Sequence, residues 1–265
     1  MSLPPSYPDP SEIMAAITIQ DDPAERAKEG MKRIGECIVV MESEFRTIQD
    51  FVQWLDGQRV VRDVYGDVKL YASEWSGIHE AYTDLIQESQ VTAHNLAREL
   101  GYLVDVLLPI SHNVNFQDAL KEKAVDHYIK DLENFTEDAE KSRTRFLRIE
   151  KNVQNFQEKL TTALYASAGA PGNEGFANLE AVWREMENSN VRRVFYELED
   201  RLSVVGRVWP ILTADSEMLQ RHLKDLRFAA GVLIFEKRVN SAKDIYDTFM
   251  ASLDVYVSAV VAVKK

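Results

Sequence analysis

A single cysteine, Cys37, is all the thiol chemistry in this 265-residue chain. One thiol cannot close an intramolecular disulfide, and a cysteine-based zinc site lacks its ligands. Glycine and proline are scarce too, at 11 and 8 residues, and Pro4, Pro5, Pro8 and Pro10 place half of the prolines near the start. Few helix breakers remain for the rest. No run reaches the ~18–20 uninterrupted apolar residues of a transmembrane helix. The opening MSLPPSYPDPSE has neither the basic nor the apolar region of a signal peptide, so the expectation is synthesis in the cytoplasm. Basic residues number 31 against 43 acidic ones, a formal net charge of −12. Such a surface repels phosphate backbones, which argues against nucleic acid as a partner. It also disfavours purely electrostatic adhesion to anionic lipid, while leaving hydrophobic insertion open.

What is present is helical periodicity. Residues 1–22 are Pro-rich and then polar, and read as a flexible tail; residues 23–265 read as one helical domain. Within the tail, Pro4, Pro5 and Tyr7 fit the PPxY pattern that WW domains read through a polyproline II backbone. Four residues also match by chance, so an unpartnered tail is the competing reading. Asp21 and Asp22 before Pro23 make a helix start. A heptad seam then runs through Ala27, Met31, Ile34, Ile38, Met41, Phe45, Ile48, Val52 and Leu55, with Asp56-Gly57 as its stop. A second seam takes in Val61, Val64, Val68, Tyr71, Trp75, Ile78, Tyr82, Leu85, Ser89, Thr92 and Leu96, and slips once before Leu100, Leu103 and Leu107.

The third is the most regular: Tyr128, Leu132, Phe135, Ala139, Ser142, Phe146, Ile149, Val153, Phe156, Leu160 and Ala163. A helix from about Phe116 to Ala166 would be on the order of 75 Å long at 1.5 Å per residue. After the glycine-rich stretch ALYASAGAPGNEGFANL, residues 163–179, the pattern resumes less regularly from Phe176 to Val205, and Trp209-Pro210 marks a break. No alternating strand with turn chemistry is present. The spacing predicts an all-α fold, an elongated, coiled-coil-like bundle of four to five long antiparallel helices.

A ferritin-like metal site needs Glu three residues before His on two helices, and the residues three before the five histidines are Ser76, Val91, Pro109, Ala124 and Leu219. His79-Glu80 lacks the second His of HExxH, and the two read as polar residues on the surface. Gly169, Gly172 and Gly175 have neither the lysine nor the βαβ setting of a phosphate loop. The expectation is therefore a protein that is not an enzyme and uses no cofactor or metal. Trp54, Trp75, Trp183 and Trp209 read either as core or as interfacial anchors. Trp209, at a break, is the candidate for the latter.

Three apolar runs remain: YLVDVLLPI at 102–110, FAAGVLIF at 228–235 and VYVSAVVAV at 255–263. Each is too short to span ~30 Å of hydrocarbon as a helix. The last is followed by Lys264-Lys265, which suit a head-group surface. Its Val255, Tyr256, Val257, Val260, Val261 and Val263 are, with Trp209, the candidate membrane or partner contacts. The glycine-rich stretch is small and polar, a turn that can also hinge.

With long amphipathic helices, a mobile N-terminal segment and a Trp-marked late helix, VWPILTADSEMLQRHLKDL (Val208 to Leu226), the chain resembles the α-helical pore-forming toxins of the cytolysin A and xenorhabdolysin type. That resemblance implies a five-helix rod, release without a cleaved signal peptide, and membrane insertion on oligomerisation, alone or with a second protein component. The chain departs from the family in lacking a long, strongly apolar head segment. The alternative is a cytosolic helical adaptor that binds other proteins through its seams.

Overall fold

A computed structural model describes residues 23–62, 67–107, 109, 118–168, 176–210, 213, 214, 217 and 220. The expected all-α class holds there: five α-helices, one π-helical turn and no strand among the described residues. The helices are α1 (Pro23–Gln58), α2 (Ala72–Tyr102), α3 (Asp118–Ala168), α4 (Phe176–Asn188) and α5 (Val191–Gly206), with the π-helical turn Leu103–Leu107 directly after α2. Three are long, at 36, 31 and 51 residues, and two are short, at 13 and 16.

The seams are what the helices bury. On α1, Ile34, Ile38, Met41, Phe45, Ile48 and Val52 are fully buried. On α3, every seam residue from Tyr128 to Leu160 is buried, and the row then shifts to Leu164 and Ser167 instead of Ala163. Each such side chain removes enough apolar surface to be worth ~1.5–3 kcal/mol.

Two boundaries differ from the periodicity. The second seam predicts a helix from Val61, but α2 begins at Ala72. Between them, Val60 and Val61 are buried, Lys69 N–H donates to the Val61 carbonyl at 2.9 Å, and Arg62 bridges Val68. Val60, Val61 and Val68 are β-branched, and they meet here in an extended pairing that suits them better than a helix. The stop lies not at Gly57 but after Gln58, where Arg59 takes a left-handed φ of 53°.

The Asp56 carboxylate fixes the restart, accepting from Tyr71 N–H at 2.9 and 3.0 Å and from Ala72 N–H at 2.8 Å. The first N–H groups of a helix have no partner within it, so a carboxylate from the preceding helix caps α2. The region after the glycine-rich stretch is also split. Asn190, at φ 52°, closes α4, and its carbonyl accepts from Val194 N–H at 3.0 Å to open α5. Asn is among the few residues that tolerate this conformation.

By its contacts the chain divides into two compact units. The first holds the described residues up to Ile38, those of Ile86–Thr144 and those from Val204 on; the second holds Val39–Leu85 and Arg145–Ser203. In the first, Leu96, Leu103, Tyr128, Leu132 and Phe135 are buried, Tyr102 stacks on Tyr128 at 6.4 Å, and Gln220 reaches Thr136. Leu103 and Leu107, in the described part of the 102–110 run, are core residues.

In the second unit, contacts along α1 rise as those along α2 fall: Glu42 with His79, Gln49 with Ser76, Asp56 with Tyr71. Gln154 with Glu199 and Phe156 with Phe195 run the same way on α3 and α5. Tyr165 of α3 packs on Trp183 of α4. At the centre of this unit lies Trp75, 0% exposed, with Phe45, Phe156 and Phe195 around it at 5.4, 5.0 and 5.5 Å.

Two stability measurements test this account. Asp56→Ala removes the cap of α2 and should cost about 1–2 kcal/mol in urea unfolding; an unchanged midpoint would mean the cap carries no energy. Gly77 lies inside α2 with open space where a Cβ would be. Gly77→Ala should therefore stabilise by about 0.5–1 kcal/mol, and a loss would show a neighbour pressing on that face.

Candidate functional site

The polar residues of the second unit gather at three places. The first is a charged layer between α1 and α5. Glu44 is 6% exposed and pairs with Arg201, whose guanidinium also lies 3.5 Å from Glu197. Glu197 in turn accepts from Arg193 Nε at 2.5 Å. The second oxygen of Glu44 is buried and meets no donor among the described residues.

Burial dominates this carboxyl: desolvation and the nearby Glu197 outweigh the attraction of Arg201 and push Glu44 up to about 7. Glu44 therefore takes up a proton far more readily than an exposed carboxyl does.

The second place lies two residues away on α1. Glu42 accepts from Arg46 Nε at 2.8 Å and meets His79 Nε2 at 3.0 Å, and the His79 ring stacks on Phe45 at 4.9 Å. Burial pushes Glu42 up, but the hydrogen bonds from His79 and Arg46 prevail and hold it below its ordinary value. His79 is thus an internal contact between α1 and α2, whereas the sequence placed it with Glu80 among the surface polar residues. Residues two apart on a helix point about 200° apart. Glu42 and Glu44, though shifted in opposite directions, cannot act on one atom.

The third place is an open groove of about 590 Å³ along α3 and α5, lined by Gln154, Gln157, Glu158, Thr161, Thr162, Tyr196 and Glu199. Its lining is polar apart from Tyr196. Among the described residues no group of three or more His, Cys, Asp or Glu could hold a metal ion.

The candidates from sequence fall elsewhere. Trp209 is 1% exposed, a core side chain of the first unit. Val204, Val205 and Val208, on either side of the Arg207 turn, are buried as well. Cys37 is the small buried hydrophobe it resembles. Val255, Tyr256, Val257, Val260, Val261 and Val263 lie outside the described residues, as do Pro4, Pro5, Tyr7 and the glycines of the 163–179 stretch.

Sequence reasoning missed Glu44, yet a signal existed. Glu44 stands seven residues after Cys37 and seven before Phe51, and both of these are buried. The three form a third row beside the seam, so a charge in that row has to be buried with them. His79 repeats the case on α2, seven residues before buried Ile86.

The sign of the pH effect follows from Glu44. A carboxyl raised from 4.5 to about 7 is costly when ionised, so the fold gains stability as pH falls from about 8 towards 5. The full difference corresponds to at most about 3 kcal/mol. Glu44→Gln should raise the urea midpoint at pH 8 and flatten the slope between pH 8 and 5. If the slope persists in the variant, another group carries it. Comparison of the chain with protein-family models, with curated proteins and with solved structures returns no match.

Proposed function

We propose that this is a non-enzymatic, α-helical protein of the pore-forming-toxin kind, a closed form that rearranges into a membrane-associated oligomer, alone or with a second component. The observation that supports this most directly is the charged layer between α1 and α5. A bundle held only by apolar seams has no preferred place to part. Here two carboxylates share one partly buried guanidinium, and one carboxylate oxygen stays without a donor among the described residues. Replacing such a layer by apolar residues is often neutral or stabilising. That contact is consequently the weakest part of the α1–α5 seam, and the natural one to open.

Because Glu44 gains its proton on acidification, acid tightens this layer. The proposed conversion is therefore set off by the lipid surface at neutral pH, not by a fall in pH. No helix among the described residues is long and apolar enough to cross a membrane. Entry into the bilayer is accordingly assigned to residues 255–263, followed by Lys264 and Lys265.

An adaptor role has a different support. Tyr165 is 59% exposed at the end of α3, packed on Trp183, over which Arg192 lies at 5.2 Å. Tyr, Trp and Arg are the side chains that most often anchor protein interfaces.

Lipid separates the two. Purified protein added to dye-loaded liposomes at pH 7.4 should release dye and gain mass as an oligomer. Val260→Asp should abolish release while the protein remains folded by circular dichroism, because a charge in hydrocarbon is expensive. No release together with no lipid-induced change in mass would overturn a toxin that acts alone, and leave the adaptor or a component that needs its partner.

A further inference from the structure

Of the four helices around Trp75, α5 is the one the others can spare. It is 16 residues long, preceded by the left-handed Asn190 and followed by the turn in which Arg207 N–H donates to the Val204 carbonyl. Without it, α1, α2 and α3 still hold one another: Glu42 of α1 meets His79 of α2, Asp56 caps α2, and Lys159 of α3 pairs with Glu74 of α2. A short element whose departure leaves the rest paired is where local opening occurs. Phe195, Leu198 and Leu202 are buried and favour closure at every pH. What varies is the state of Glu44.

In the closed form Glu44 is 6% exposed, and the charges that act on it are Arg201 and Glu197, both on α5, with Arg193 behind Glu197. Its neighbours on α1, Glu42 and Arg46, are bound to each other on a different face, together with His79 of α2. One guanidinium thus serves two carboxylates, and the second oxygen of Glu44 meets no donor among the described residues. An ionised Glu44 is under-compensated in the interior, and opening of α5 gives it water. A protonated Glu44 gains far less by leaving.

We propose that α5 is a proton-controlled latch on α1, closed while Glu44 holds its proton and opening as a separate unit, ahead of the other helices, once Glu44 is ionised. The latch deepens the reading given above and rests on it for its role at a lipid surface, but its own behaviour is measured without lipid. The direction follows from two values. The buried carboxyl titrates at about 7 and an exposed one near 4.5, so between them opening releases a proton. Opening is therefore promoted as pH rises through 7 and suppressed towards 5.

Hydrogen exchange in sub-denaturing urea tests this, read for residues 191–203 of α5 and, as reference, 146–160 of α3. The α5 amides should open more often than the reference and with a weaker urea dependence. That opening should become about tenfold more frequent between pH 6 and pH 8, once the intrinsic exchange rate is divided out. Glu44→Gln, which imitates the protonated state, should keep α5 closed at pH 8 and reduce the change to about threefold or less. Glu199→Gln, which removes the other raised carboxyl of α5, should leave most of the change in place. One opening frequency and one urea dependence shared by α5 and α3 would overturn the separate unit. An α5 opening indifferent to pH, or a pH dependence that survives Glu44→Gln, would overturn the latch. Liposomes that stay intact while α5 opens as described would count against the toxin reading alone.

Discussion

The second unit depends on one indole. Among the described residues of that unit, Trp75 is the only side chain in ring contact with three helices besides its own, through Phe45 on α1, Phe156 on α3 and Phe195 on α5. Its N–H donates to the Phe45 carbonyl at 3.0 Å, so its one polar group is satisfied in the middle of the core. That bond also fixes the register of α2 on α1. A slip of either helix would leave the N–H buried without an acceptor, a penalty that apolar residues alone cannot impose. Phe45 is fixed in turn, and His79 and Tyr82 stack on it at 4.9 and 4.6 Å. From this arrangement follow the placing of Glu42 opposite His79 and of Asp56 at the head of α2.

Given that fixed register, α1 has no freedom to turn Glu44 outward. The row that contains it also contains Cys37 and Phe51, whose burial turns the same face inward. Glu44 is thus carried into the interior by its neighbours, and the fold offers it Arg201 from α5 as partial compensation. The compensation is incomplete, since burial still lifts the carboxyl to about 7. The wider opposite case is Glu42, where two donors on α1 and α2 suffice to keep the charge. The difference between the two lies in the number of donors supplied, not in depth alone.

Most of the helical architecture was legible because each seam repeats every three and four residues and packing rewards that repeat directly. What periodicity could not show were the interruptions. Val61, Val64 and Val68 continue the spacing of a helix, yet Val61 and Val68 sit in an extended stretch, because the Asp56 carboxylate starts α2 only at Tyr71 and Ala72. That constraint acts across fifteen residues, outside any local window. The division between α4 and α5 had a local cue, Ser189-Asn190, which a seam drawn through large apolar residues passes over. Trp209 was ambiguous for a different reason: an aromatic beside a break serves a core and an interface equally well, and only the packing of the first unit decides. The groove was not legible at all, since its residues come from two helices and none departs from an ordinary solvated face.

The charged layer and the groove meet on the same short helix. Within α5, Arg201 reaches α1 through Glu44, while Glu199, two residues earlier, is held by Gln154 of α3. Its apolar row, Phe195, Leu198, Leu202 and Val205, is buried along with them. In a helix of 16 residues these two polar contacts are a large share of what orients it about its own axis. Residues two apart point to nearly opposite sides, so a rotation that frees Arg201 from Glu44 also turns Glu199 relative to Gln154. One orientation of α5 therefore serves both contacts, Arg201 with Glu44 and Glu199 with Gln154.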